Sequence, residues 1–206
     1  MSDPAREARL RARVVELARA QDPYAHIFAG KEFRRDYVAA RTVAWSALFK
    51  DIRDTTSRVL EIGSKEGRSA LFWLEFFASA HLTCVDLFND EDAGRFDRNL
   101  AAYGPRLRKI VGTSIKALGS LREENAVFDF IYVDGSHQRD DVMIDCLGAW
   151  RLLRPGGVML MDDYTWKPEN PDSERVAPAV DIFLAWHDDA EVILRSHQVA
   201  VRKRPA

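Results

Sequence analysis

The chain predicts an α/β fold: a doubly wound, mostly parallel sheet of about seven strands, with helices on both faces and a C-terminal antiparallel hairpin. Three observations carry this reading. From Arg58 onward short aliphatic runs alternate with amphipathic stretches, five of those runs are too apolar for a sheet with one wet face, and the last two runs lie close together. A length of 206 residues suits a single globular domain with a substantial core.

The elements follow in order. Asp3 can cap a first helix with Pro4 in its first turn, placing Leu10, Val14, Leu17 and Ala18 on one face. A break at "QDP" and "AGK" precedes a second helical stretch over about Phe33 to Asp51. Residues 1–52 therefore read as a helical extension packed on the core, and residues 53–206 as the main unit. Within that unit "RVLEIG", "LTCVD", "RKIVG", "FDFIYVD" and "GGVMLMD" read as strands. The helices between them span about Arg68 to Ala78, Asp90 to Tyr103, Ser114 to Leu121 and Gln138 to Leu153. A polar stretch, "TWKPENPDSERVAP", leads to a helix starting near Pro178 that puts Val180, Phe183, Leu184 and His187 on a shared face. The runs in "AEVILRSHQVAVRK" can pair only as an antiparallel hairpin, because a parallel return needs a crossover of a dozen or more residues.

Composition excludes several classes. With 30 basic against 32 acidic side chains the net charge is only -2, which advertises neither nucleic acid nor an anionic membrane as a partner. The first twenty residues lack the apolar core of a signal peptide, no segment approaches a membrane span, and the protein reads as cytoplasmic. Cys84 and Cys146 stand among apolar neighbours without metal-ligand spacing, as buried reduced thiols do.

"VLEIGSKEGRSALFWLE" is a strand, a glycine turn and a helix start. Gly63 and Gly67 allow a tight turn and close approach to a ligand, and Ser64 and Ser69 can donate hydrogen bonds there. The missing third glycine and the carboxylate of Glu66 disfavour a pyrophosphate, so a nucleoside without phosphates fits better; a turn that merely joins strand to helix is the plain alternative. Asp86 closes the second strand 23 residues after Gly63, where the hydroxyls of a ribose arrive. Phe88 and Asn89 beside it are candidate walls, and in "GTS" Thr113 or Ser114 either meets an adenine edge or caps the next helix.

The fourth and fifth strands end in acid. Neighbouring strands lie about 4.8 Å apart, so Asp134 should approach Asp162 and Asp163. Two bare carboxylates at roughly 5 Å repel by about 3 kcal/mol at an effective dielectric of 20. A protonated carboxyl or a lysine can compensate, but an oxygen-only set suits Mg²⁺ or a similar hard ion. Against this, Asp162 or Asp163 can simply accept backbone hydrogen bonds in a loop. His137, three residues beyond Asp134, is a candidate general base, or else a loop histidine bonded to a carbonyl.

Taken together, "VLEIGSKEGRSA", "CVDLF", "FDFIYVDGSHQRDDVMIDCLGAWRLLRPGGVMLMDDY" and "AVDIFLAWHDDAEVILRSHQVAVRK" resemble the class I S-adenosylmethionine-dependent methyltransferases of the D-G-S-H type. That group includes metal-dependent sugar O-methyltransferases of macrolide biosynthesis and is related to the catechol O-methyltransferases; its fold is Rossmann-like and ends in such a hairpin. The resemblance covers about Arg58 to Lys203 and is most specific from Phe128 to Tyr164. It implies Mg²⁺ held by Asp134, Asp162 and Asp163, and His137 as general base. S-adenosylmethionine is then surrounded by Glu61, Gly63, Ser64, Gly67, Ser69, Asp86, Ser114 and Asp134. The catechol enzymes carry lysine at the position of His137 and an amide at that of Asp163, so the pattern favours the sugar-type branch.

The resemblance thus implies O-methylation of a hydroxyl on a small molecule, a sugar or natural product. "TWKPENPDSERV" and the stretch from Tyr24 to Phe33 are placed to close over the acceptor, with Trp166 as a substrate wall or a packed aromatic. Three rivals stand beside this reading. One is a metal-independent methyltransferase in which Asp134 contacts the cofactor's amino group, another a nicotinamide oxidoreductase, which the glycine pattern disfavours. The third is a nucleoside-binding protein without turnover. A homo-oligomer is compatible with the chain.

Overall fold

The computed structural model describes residues 22–205, so the helix expected from Asp3 lies outside the described residues. The sheet comprises β1 (Arg58–Ile62), β2 (His81–Asp86), β3 (Leu107–Val111), β4 (Phe128–Val133), β5 (Leu153–Met161), β6 (Ala190–Arg195) and β7 (Val199–Lys203). The helices are α1 (Thr42–Leu48), α2 (Arg68–Phe76), α3 (Asp90–Leu100), α4 (Ser114–Glu123), α5 (Arg139–Leu152) and α6 (Val176–Trp186). All five expected parallel strands form, and the terminal hairpin is antiparallel.

Strand order is β3-β2-β1-β4-β5-β7-β6, with β7 antiparallel to β5. The order reverses between β1 and β4, and in open sheets of this kind ligands bind outside the carboxyl ends of the strands at that point. Alternation along the strands explains the layers. Val59, Phe130, Tyr132, Val158 and Leu160 pack toward α1, α2 and α3, whereas Leu60, Ile62, Ile131, Val133, Met159 and Met161 pack toward α4, α5 and α6.

The second predicted helix is shorter than its periodicity suggests. Of the span from Phe33 to Asp51, only Thr42–Leu48 is α-helical, followed by a 3₁₀ turn at Lys50–Ile52. Upstream amides find other acceptors: Asp36 Oδ1 takes the N–H groups of Val38 and Ala39 (3.1 and 2.9 Å), and Glu66 Oε2 takes that of Arg34 (2.9 Å). Side chains that bond nearby amides compete with the helical ladder. The helical remnant is nevertheless part of the core. Trp45 stacks on Trp73 with centroids 4.6 Å apart, and Phe49 meets Phe130 edge-on at 5.0 Å.

Candidate active site

The acidic half is assembled by strand pairing carried one residue past the strands. The Asp134 amide donates to the Ile62 carbonyl (2.8 Å) and the Asp162 amide to that of Val133 (2.9 Å), so both aspartates leave the sheet at the switch point. Asp163 has φ 57°, and its amide donates to Asp162 Oδ1 (2.7 Å). The strand has ended there, and the two consecutive carboxylates take different partners. Asp162, only 3% exposed, accepts from the Tyr132 hydroxyl and from Arg41 Nη1, both at Oδ2. Asp163 lies between two imidazoles, with His137 Nε2 at 2.8 Å from Oδ2 and His197 Nε2 at 3.0 Å from Oδ1.

Asp134 joins this set through Tyr132, whose hydroxyl donates to Asp134 Oδ2 at 3.1 Å. Among the described residues, Asp162, Asp163 and His197 are the group whose ligand atoms all lie within 4.8 Å of one another; Asp134, expected as a third acidic ligand, is not part of it. Burial pushes the Asp134 carboxyl well above the ordinary range, the charges of Asp162 and Asp163 add to that, and Arg41 and the Tyr132 hydroxyl oppose it. Burial also disfavours charge on Asp163, but His137, Arg41 and His197 outweigh it and hold that carboxyl below its usual value. The Tyr132 phenol is driven well above its normal range by burial and by Asp134 and Asp162.

Where the sequence places the cofactor there is a cavity of about 340 Å³ lined by Arg34, Arg35, Tyr37, Val38, the loop from Gly63 to Glu66, Arg68, Ser69 and Asp134. Its size lies at the small end of ligand pockets. Gly63 has φ 90°, and a Cβ there would fall 2.0 Å from the Asp134 carbonyl oxygen, so its first role is to let the β1 and β4 exits touch. Gly67, at φ 81°, leaves no room beside Leu100. The Ser64 hydroxyl is buried without a hydrogen-bond partner, as is Glu61 Oε1. Glu61 is pushed to about 7 by burial; the Ser64 and Ser69 hydroxyls pull the other way without reaching hydrogen-bond geometry.

The other residues expected near the cofactor distribute unevenly. Asp86 closes β2 and accepts the amides of Lys65 (2.9 Å) and Phe88 (2.8 Å), one residue away from the cavity lining. Ser114 begins α4 beside the buried carboxylate of Asp145, and Thr113 makes no capping bond. Phe88 is buried against Phe96, Asn89 caps α3 through the Asp92 amide (3.0 Å), and neither lines the cavity. Glu66 lines the cavity with its carboxylate paired to Arg34 and Arg95. Trp166 lies over His137 with centroids 4.3 Å apart.

Sequence patterns do not single out Arg41, Tyr132 or His197. His197 does carry a signal: β7 runs antiparallel to β5 with Val199 opposite Met161, which brings the "SHQ" turn back to the acidic end of β5. Arg41 carries none, lying 121 residues from Asp162.

A glycine turn beside a cavity and an acidic rim both lie at the carboxyl ends of a 3-2-1-4-5-7-6 sheet, an arrangement that suits group-transfer enzymes of the methyltransferase class. The model of a methyltransferase-domain family matches residues 60–164. The chain therefore belongs to that methyltransferase-domain family, and its sheet is Rossmann-like. Among solved structures, the MycE methyltransferase of the mycinamycin biosynthetic pathway, in complex with Mg, S-adenosylhomocysteine (SAH) and mycinamycin VI, is 20% identical with a TM-score of 0.66. That likeness covers 93% of this chain, which spans about half (54%) of that one. A Podospora anserina methyltransferase bound to SAH (20% identity, TM-score 0.65) is matched over 100% of this chain and 98% of its own. For a Bacillus cereus O-methyltransferase with SAH the values are 17%, 0.64, 92% and 90%. No curated protein matches. No helix among the described residues is long and apolar enough to cross a membrane.

Proposed function

We propose that the protein methylates a hydroxyl of a small molecule, with His137 as general base and a divalent cation, Mg²⁺ in the first instance, at the acidic rim. One observation carries the reading: the cavity at the glycine turn and a hollow of about 10 Å³ lined by His137, Asp162 and Asp163 share Asp134 as a wall. Donor and acceptor sites thus adjoin. The unpartnered Ser64 hydroxyl, together with Ser69 and the wall residues Arg35 and Lys65, suits the zwitterionic tail of S-adenosylmethionine.

The donor set also fits a hard dication. One guanidinium faces three carboxylates, and Asp134 is held toward its neutral form by burial first and by the charges of Asp162 and Asp163 second. Asp134, Asp162 and Asp163 would hold the ion, with His197 at its edge. When bound, the two groups supply an activated methyl and a Lewis acid that lowers the acceptor's pKa. The chain does the rest. An ionised Asp163 only accepts, so neutral His137 presents Nε2–H to it and keeps the Nδ1 lone pair for the acceptor's proton. Trp166 steadies the ring from above, and the near-neutral chain suits a small acceptor rather than nucleic acid or membrane. The sugar-type pattern of His137 and Asp163, and the mycinamycin complex of MycE, favour vicinal diols on glycosides.

The Arg41–Asp162 pair favours a second reading in which the guanidinium alone neutralises the rim and no metal is needed. Methyl transfer to a panel of vicinal-diol glycosides separates the two. Under the first reading EDTA abolishes transfer and Mg²⁺ restores it; full activity in EDTA selects the second. Under either, His137→Ala lowers kcat by about 10²–10⁴-fold while SAH affinity by calorimetry stays unchanged. Undiminished kcat in that variant removes His137 as the base.

A further inference from the structure

We propose that Arg41 is the built-in counter-ion of the acidic rim and that a divalent cation displaces it, so that the Arg41–Asp162 ion pair and metal occupancy exclude one another. The inference rests on the metal reading above.

At Asp162 Oδ2 the hydrogen-bond accounting requires a displacement. Asp162 Oδ1 accepts the Asp163 amide, and Oδ2 accepts both the Tyr132 hydroxyl and Arg41 Nη1, which uses both lone pairs of that atom. Both oxygens of Asp163 face histidine nitrogens. An ion cannot reach Asp162 Oδ2 without removing one of its donors. Tyr132 is neutral and already shares its hydroxyl with Asp134, 3.1 Å away, so it can stay by leaning toward that partner. Arg41 is a cation, and a dication on the same oxygen repels it. It is also the donor with somewhere to go: its side chain is 25% exposed, whereas the Asp162 side chain is 1% exposed. Its residue is the N-cap of α1 and makes no side-chain capping bond that would hold it there.

The arrangement has a use. Without a cation, three carboxylates at the rim would repel, and Arg41 lets the chain fold with the site assembled. With a cation, the released Arg41 side chain, already 25% exposed, is free to turn toward an anionic or hydroxyl-bearing acceptor.

Calorimetric titration of Mg²⁺ and Mn²⁺ into the wild type, Arg41→Gln and Arg41→Lys tests this without reference to turnover. Arg41→Gln should bind both ions about tenfold more tightly or better, the order expected when a partly buried ion pair no longer has to be broken, and Arg41→Lys should stay near wild type. Equal or weaker binding by Arg41→Gln overturns the proposal and leaves the metal reading intact. Absence of binding in all three proteins retires the metal reading and the proposal with it. Should Arg41→Gln fail to fold, hydrogen exchange on the wild type decides: the Trp45 amide, which donates to the Arg41 carbonyl at 2.8 Å, should exchange severalfold faster in Mg²⁺, and unchanged exchange counts against displacement.

Discussion

Gly63 shows how one residue's missing side chain serves the whole site. The position reads from sequence as a place where a ligand approaches the backbone, but the atom nearest its missing side chain is the Asp134 carbonyl oxygen. Gly63→Ala therefore combines a clash with a φ of 90°, and should cost about 3–5 kcal/mol. A urea titration of the two proteins checks this; a loss below about 1 kcal/mol would mean that the two loops separate cheaply. At the same scale Asp163 and His137 are both legible as chemistry, because a carboxylate and an imidazole stand at strand exits. Their pairing is not legible. The family resemblance assigns Asp163 to a metal and His137 to a proton, whereas the 2.8 Å contact pairs the two and suits the carboxylate to orient the ring as well.

At the scale of elements, β1 carries a conflict between local chemistry and burial. Glu61 occupies a fully buried position facing α2 and is pushed to about 7 from an ordinary 4.5. The folded state thus holds the proton more tightly than the unfolded chain. Stability from this group is complete below pH 4.5 and is lost as pH rises through about 7, by roughly 3 kcal/mol in all. Thermal melts of the ligand-free protein between about pH 5 and 8 should show a falling midpoint, and Glu61→Gln should flatten it. A midpoint that rises with pH in the wild type would reverse the assignment. The strands themselves are legible because five runs with two buried faces leave little choice of partner. The stretch from Phe33 to Asp51 misleads because apolar spacing says nothing about Asp36 and Glu66 taking amides that a helix needs.

For the whole molecule, residues 22–52 behave as part of the core and not as an appendage. Trp45 and Phe49, each 1% exposed, cover Trp73 and Phe130, and Trp45 Nε1 donates to Gln198 Oε1 (2.7 Å) in the turn that also carries His197. A chain beginning at residue 53 should consequently lose its cooperative thermal transition, since it exposes several aromatic rings at about 1.5–3 kcal/mol each. A sharp transition in circular dichroism for that fragment would show that the sheet is self-sufficient. The same packing ties the amino-terminal segment to both halves of the candidate site: Val38 and Tyr37 line the cavity at the glycine turn, and Arg41 reaches the acidic rim.

Sequence alone determined the α/β class, the five parallel strands, the closing hairpin, and the placing of Asp134, Asp162 and Asp163 at adjacent strand ends. These follow from periodicity and strand termination, which are properties of a few consecutive residues. Only the tertiary structure decided what neutralises the rim and which groups flank Asp163. Arg41 meets Asp162 across 121 positions and His197 meets Asp163 across 34, and contacts that span such distances are set by how α1 and the hairpin dock on the sheet.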